Sequence, residues 1–143
     1  MEMFTLNQEV ARLEAELPPL RGAARLAVLA PLAWHLRQRD TGRAVELADE
    51  AAVLLTRTAL PEAQRRAIAA RLQLVRGEAK WLLAELDAAE TLADAALQEF
   101  TALSDSLGRA DAHWLRAWLA TERLDFEAGV VGQRGQAARL HAG

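Results

Sequence analysis

The chain has 143 residues, a formal net charge of −3 and 52% hydrophobic residues, with three Phe, four Trp and neither Tyr nor Cys. That is the length of one domain, able to bury roughly 70% of its unfolded surface. Its Ala- and Leu-rich alphabet favours helix and lacks the alternating β-branched runs of a sheet. The acidic balance leaves no basic stripe for nucleic acid and no polybasic patch for a membrane. Absent cysteines exclude disulfides and thiol chemistry. The start, MEMFTLNQEV, carries acids where a signal peptide has bases, and no apolar run approaches membrane-spanning length, so a soluble cytoplasmic protein is expected.

Leu6, Val10, Leu13 and Leu17 form an apolar stripe at helical spacing, predicting a first helix capped by Asn7 and stopped by Pro18-Pro19. A second helix should run from after Leu20 to about Arg39. Pro31 has no amide hydrogen to donate and should kink or split it near Ala30. The chain then turns at Asp40-Thr41-Gly42-Arg43-Ala44, with Asp40 or Thr41 as cap. The helix that follows has Ala44, Leu47, Ala48, Ala51, Val53, Leu54 and Leu55 as its apolar residues.

Pro61 suits a first helical position, and a long helix should run from it to about Leu83, with Leu72, Val75, Ala79, Leu82 and Leu83 at helical spacing. After a turn at Glu85-Leu86-Asp87-Ala88-Ala89, Leu92, Ala93, Ala96 and Leu97 define the next helix. Ser104 or Asp105 can cap another, which carries Leu107, Ala110, Trp114, Ala117 and Trp118. Leu124-Asp125-Phe126-Glu127-Ala128 reads as a third turn. Beyond it Gly129, Gly132 and Gly135 each weaken a helix by up to about 1 kcal/mol. Residues 129–143 are therefore expected to form a weak cap, with Ala137 to Leu140 as a last turn, unless a longer protein supplies a further helix.

The stretch from Arg71 to Phe100 resembles a tetratricopeptide repeat (TPR), whose two antiparallel helices carry small residues at the eighth, twentieth and twenty-seventh positions. Gly77, Ala89 and Ala96 occupy those positions here, and Leu32, Ala44 and Ala51 do so one repeat earlier. Gln73 at the usual Trp position, Arg76 at the usual Leu position and the missing closing Pro depart from the pattern. So do the 45 residues from Ala44 to Ala89, against 34 in a standard repeat; the excess lies around Thr56 to Ala70. The resemblance implies an all-α fold, a single α-solenoid domain of antiparallel hairpins stacked as a right-handed superhelix of about seven helices. Residues 1–19 would be its N-terminal helix, 20–128 its repeat hairpins and 129–143 its cap.

His35, His113 and His141 lie in three separate segments without metal-ligand spacing. His35 and His113, each beside a Trp, are expected to be groove or packing residues with a ring nitrogen on a backbone group or carboxylate. No Gly-rich phosphate loop or nucleophile elbow occurs, so no cofactor, metal or catalytic residue is implied. Acids usually have an Arg three or four residues away, as in Glu46 with Arg43 and Glu62 with Arg66, which reads as surface pairing. Trp34, Trp81 and Trp118 lie six or seven residues ahead of Asp40, Asp87 and Asp125. They are either wedges in the core or anchors on a concave face.

The TPR resemblance implies a groove lined by Leu29, Ala33, Leu36 and Arg37, by Arg71, Leu74, Glu78, Trp81 and Leu82, and by Asp111, Trp114, Trp118, Thr121 and Glu122. Such a strip suits a peptide or a neighbouring helix. The Lys and Asn clamp with which co-chaperone TPRs hold acidic peptides cannot be built from one Lys, Lys80, and one Asn, Asn7. The strings LAWHLRQRDTGRAVELADEAAVLL, RGEAKWLLAELDAAETLADAALQEF and DAHWLRAWLATERLDFEA are similar to the TPR-like region that precedes GGDEF diguanylate cyclase domains in bacterial signalling proteins. That resemblance implies a regulatory, non-enzymatic module with a protein or peptide partner and a possible homodimer through its end faces. It implies no nucleic-acid or membrane partner. The alternative is a small-ligand sensor in which Trp81, Trp114 or Trp118 closes a pocket between repeats.

Overall fold

A computed structural model describes the backbone from Glu2 to Ala142 and the side chains of residues 6–125, 127 and 128. It is all-helical: α1 (Glu2–Glu16), α2 (Gly22–Leu36), α3 (Thr41–Arg57), α4 (Glu62–Leu82), α5 (Leu86–Ala102) and α6 (Ser106–Ala142). Six helices stand where about seven were expected, because the third turn does not form. Residues 124–128 lie inside α6, which continues helical through the glycines that follow. Each glycine there costs up to about 1 kcal/mol, and no proline or αL residue interrupts the helix.

Local signals account for most of the boundaries. Asp40 Oδ1 accepts from the amide of Arg43 at 3.1 Å and starts α3, and Asp105 Oδ1 accepts from the amide of Gly108 at 2.9 Å and starts α6. Asn7 lies within α1, so it caps nothing, and Pro61 precedes the first residue of α4. Pro31 sits inside an unbroken α2. Its ring is exposed while Leu29, Leu32 and Ala33 beside it are fully buried, and that burial outweighs the lost backbone bond.

The turns after α4 and α5 are built alike, at residues 83–85 and 103–105; the first lies earlier than the sequence implied, and the second ends at the expected cap, Asp105. Glu85 donates to the Lys80 carbonyl and Ala84 to that of Trp81, both at 2.9 Å; Asp105 donates to Phe100 at 2.9 Å and Ser104 to Thr101 at 3.1 Å. This is the Schellman pattern, and it sets Ala84 at φ 61 and Ser104 at φ 56, where a glycine is usual.

Consecutive helices pack against each other, and α4 also touches α2 and α6. The helices therefore form two rows: α2, α4 and α6 side by side, with α3 and α5 behind. Among the described residues neither α1 nor α2 touches α6, so the array is open. Leu72 and Val75 of α4 belong to a core shared with α1 to α3, while Ala70 and Leu74 belong to a second core with α5 and α6. Ala44, Ala48 and Ala51 in α3 and Ala89, Ala93 and Ala96 in α5 repeat one spacing and are all fully buried.

These alanine stripes and the buried Gly77 let backbones approach closely. A methyl on Gly77 would stand 3.2 Å from Leu115 Cδ2, 3.4 Å from Leu92 Cβ and 3.5 Å from the Ala89 carbonyl. Gly108 is tighter, since a Cβ there would overlap the Phe100 ring at 2.2 Å. Surface pairing runs across helices more than along them. Arg43 holds Glu14 of α1 rather than Glu46, and Arg66 holds Glu99 of α5 rather than Glu62.

Candidate functional site

The face shared by α2, α4 and α6 collects most of the candidate groove residues. At its centre Arg71 of α4 pairs with Asp111 of α6 at 2.6 Å. Nearby, Nε of Arg37, the residue capping the end of α2, lies 2.6 Å from Glu78 Oε2 of α4. The Arg37 N–H does not point along a hydrogen bond, so this contact is ionic. Gln38 Nε2 donates to the other Glu78 oxygen at 2.5 Å. Glu78 is only 2% exposed and is the one buried charged side chain among the described residues. A buried carboxylate needs such partners, because desolvating it alone costs several kcal/mol.

Trp34 organises both pairs. The Arg37 guanidinium lies 3.6 Å from its ring centre and that of Arg71 4.4 Å, within the range of a cation–π contact. Trp34 packs against both cores and so acts as a wedge. The other three tryptophans make a separate cluster, with Trp81 5.7 Å from Trp118 and 6.4 Å from Trp114, and Trp114 5.9 Å from Trp118. Trp81 is half-buried, whereas Trp114 is 41% and Trp118 44% exposed. Trp34 is therefore a wedge between the cores, while Trp114 and Trp118 lie at the surface.

Two groups of candidates lie elsewhere. Leu29, Ala33, Leu36 and Leu74 are core residues and do not line the face. Their burial shows that these positions turn into the two cores rather than toward the shared face. Glu122 is not brought to the Arg71–Asp111 pair. It borders an open hollow of about 600 Å³ between α5 and α6, with Asp87, Arg123, Asp125 and Glu127. Leu82 and Thr121 are exposed.

Beside Trp34 the same face opens into a hollow of about 430 Å³. Ala27 and Pro31 of α2, Ile68 of α4 and Leu107 of α6 form its apolar walls, and Arg71 and Asp111 contribute its polar edge. Leu107 was read only as a helix-forming position, yet it is 70% exposed at this rim. Since Arg37, Arg71, Glu78 and Asp111 neutralise one another, the exposed side chains left on this face are mainly apolar, Leu107, Trp114, Trp118 and Leu82, with Gln64 and Asp105 at the hollow.

His35 has no hydrogen-bond partner among the described residues, unlike the expectation, and burial pushes its imidazole below the ordinary range. His113 is exposed on α6, and His141 lies outside the described side chains. Among the described residues no group of three or more His, Cys, Asp or Glu could hold a metal ion, and no helix is long and apolar enough to cross a membrane. Comparison with protein-family models, with curated proteins and with solved structures finds no match.

Proposed function

We propose that this chain is a non-catalytic interaction module of the TPR-like class, whose α2–α4–α6 face receives the apolar side of a peptide or helix. The observation that carries the reading is the internal pairing of Arg37 with Glu78 and of Arg71 with Asp111, beside exposed Leu107, Trp114 and Trp118. A surface whose charges are already paired selects apolar anchors, and Trp is a frequent hot-spot residue. On this reading the module is regulatory, and a cytoplasmic signalling protein with a diguanylate cyclase output domain is the setting that its sequence resemblance favours. Helical peptides selected on the immobilised chain are expected to share apolar residues at i, i+3, i+4 and i+7. They should lose binding to Leu107→Glu and Trp118→Ala, and keep it to Val53→Glu on α3. Selected peptides that share a charged motif, or that bind Leu107→Glu as well as the parent, overturn the reading.

The hollow beside Trp34 favours a second reading, a sensor for a small apolar ligand. Its volume of about 430 Å³ lies within the range of ligand pockets. Saturable quenching of the chain's tryptophan emission by a metabolite, with no partner protein present and abolished by Ile68→Glu, would select this reading over the first.

A further inference from the structure

We propose that the outer side of α6 binds a second copy of this chain, the two α6 helices lying antiparallel about a twofold axis near residue 119. The buried side of α6 is made by Gly108, Ala112, Leu115 and Leu119. On the far side Ala110, Trp114, Ala117, Thr121, Leu124 and Ala128 follow one another at steps of four and three, and all six are exposed. A surface helix ordinarily carries charge there. Steps of four and three instead make a seam of the kind that pairs helices.

The charges beside the seam decide what covers it and in which direction. Among the described residues of α6 ahead of Leu119, Asp111 is neutralised by Arg71 and Arg116 by Asp94, which leaves Arg109 and His113. Between Leu119 and Ala128, Arg123 is held by Asp87 and Glu90 and Glu122 borders the hollow with α5, which leaves Asp125 and Glu127. The seam is therefore basic at one end and acidic at the other, so a copy laid antiparallel sets the basic end of one against the acidic end of the other. A parallel copy meets like charge.

The area fits a weak, reversible dimer. Trp114 is 41% and Leu124 67% exposed, and with the four small residues the seam offers roughly 450 Å² per copy, taking 150–250 Å² for a whole aromatic side chain. The pair would bury about 900 Å², below the 1,200 Å² of a standard stable interface. Residue 110 then faces residue 128 of the other copy, 114 faces 124 and 117 faces 121. The seam shares Trp114 with the groove face but uses neither Leu107 nor the residues around Trp34, so Leu124→Glu and Leu107→Glu separate the two.

The chain contains no cysteine, so Ala110→Cys and Ala128→Cys each carry a single thiol. Under a mild oxidant a disulfide-linked dimer is expected when the two variants are mixed and not from either alone. In sedimentation the mass of the parent should rise with concentration, Leu124→Glu should remain at the 15.6 kDa of the monomer, and Leu107→Glu should behave as the parent. A parent that stays monomeric at every concentration, or Leu124→Glu that associates like it, overturns the proposal. Cross-linking of Ala110→Cys to itself overturns the antiparallel arrangement, as does a mixture that yields no cross-link.

Discussion

Gly77→Leu is expected to open the crossing of α4 with α5 and α6. The first added carbon alone would stand 3.2 Å from Leu115 Cδ2, closer than ordinary contact, and 3.4 Å from Leu92 Cβ, at its edge, and three further carbons must be housed at this buried crossing. Overpacking of a buried site costs about 3 kcal/mol at the upper end of its usual range. Leucine returns up to about 1 kcal/mol as the better helix former, leaving a net loss of about 2 kcal/mol. For a chain of this size that corresponds to a melting temperature lower by roughly 8 °C. Gly77→Ala adds only the first carbon, and its gain in helix propensity roughly offsets the crowding. Thermal unfolding followed by circular dichroism compares the two with the parent. A Gly77→Leu protein that melts with the parent would mean that α4 does not pack tightly at this residue, and the two-row arrangement would be wrong.

Ala84→Gly is expected to stabilise the fold by about 1 kcal/mol, because Ala84 is held at φ 61 where an L side chain is strained; denaturant midpoints check it. Gly108→Ala should destabilise by at least about 2 kcal/mol, since its Cβ would overlap the Phe100 ring, and Phe100→Leu in the same chain should restore part of the loss. Arg37→Leu leaves the Glu78 carboxylate buried with Gln38 as its remaining partner and should cost about 3 kcal/mol, while Arg37→Leu combined with Glu78→Leu should cost less than that single change. His35 binds its proton less readily in the folded chain than in the unfolded one. The stability it contributes is present above the ordinary imidazole value of about 6.5 and is lost as pH falls below it; His35→Gln should flatten that part of the stability profile.

How much could be read from the residues depended on whether the constraint was local. Asp40 and Asp105 declare their caps within three residues, and both caps are present. Small residues at Ala44, Ala51, Gly77, Ala89 and Ala96 mark helix crossings, and all are buried, as is Leu32. Gly108 escaped notice because its constraint is a ring eight residues away on another helix. The end of the α4–α5 turn was misplaced because Ala84 takes an αL conformation that only glycine or asparagine normally announces.

The candidate site shows the same limit. Arg71, Glu78, Asp111 and Arg37 were identified as groove residues, but their partners lie across helices, where spacing of three or four gives no signal. Arg71 was a natural choice for a binding variant. Paired with Asp111 and stacked on Trp34, it now reads as structural, and Leu107 and Trp118 are the better probes. Leu29, Ala33, Leu36 and Leu74 were misassigned because positions carried over from a resemblance do not say which side of a helix this chain buries. The continuity of α6 through three glycines was hidden because propensity is a weak guide at about 1 kcal/mol per residue.

The salt dependence of binding by a helix selected on the α2–α4–α6 face tests the central claim most directly. With Arg37, Arg71, Glu78 and Asp111 already paired, affinity should stay constant or tighten as salt rises, because apolar contact is not screened. Affinity that falls steeply with added salt would show that free charges on this face hold the partner, and would contradict the account.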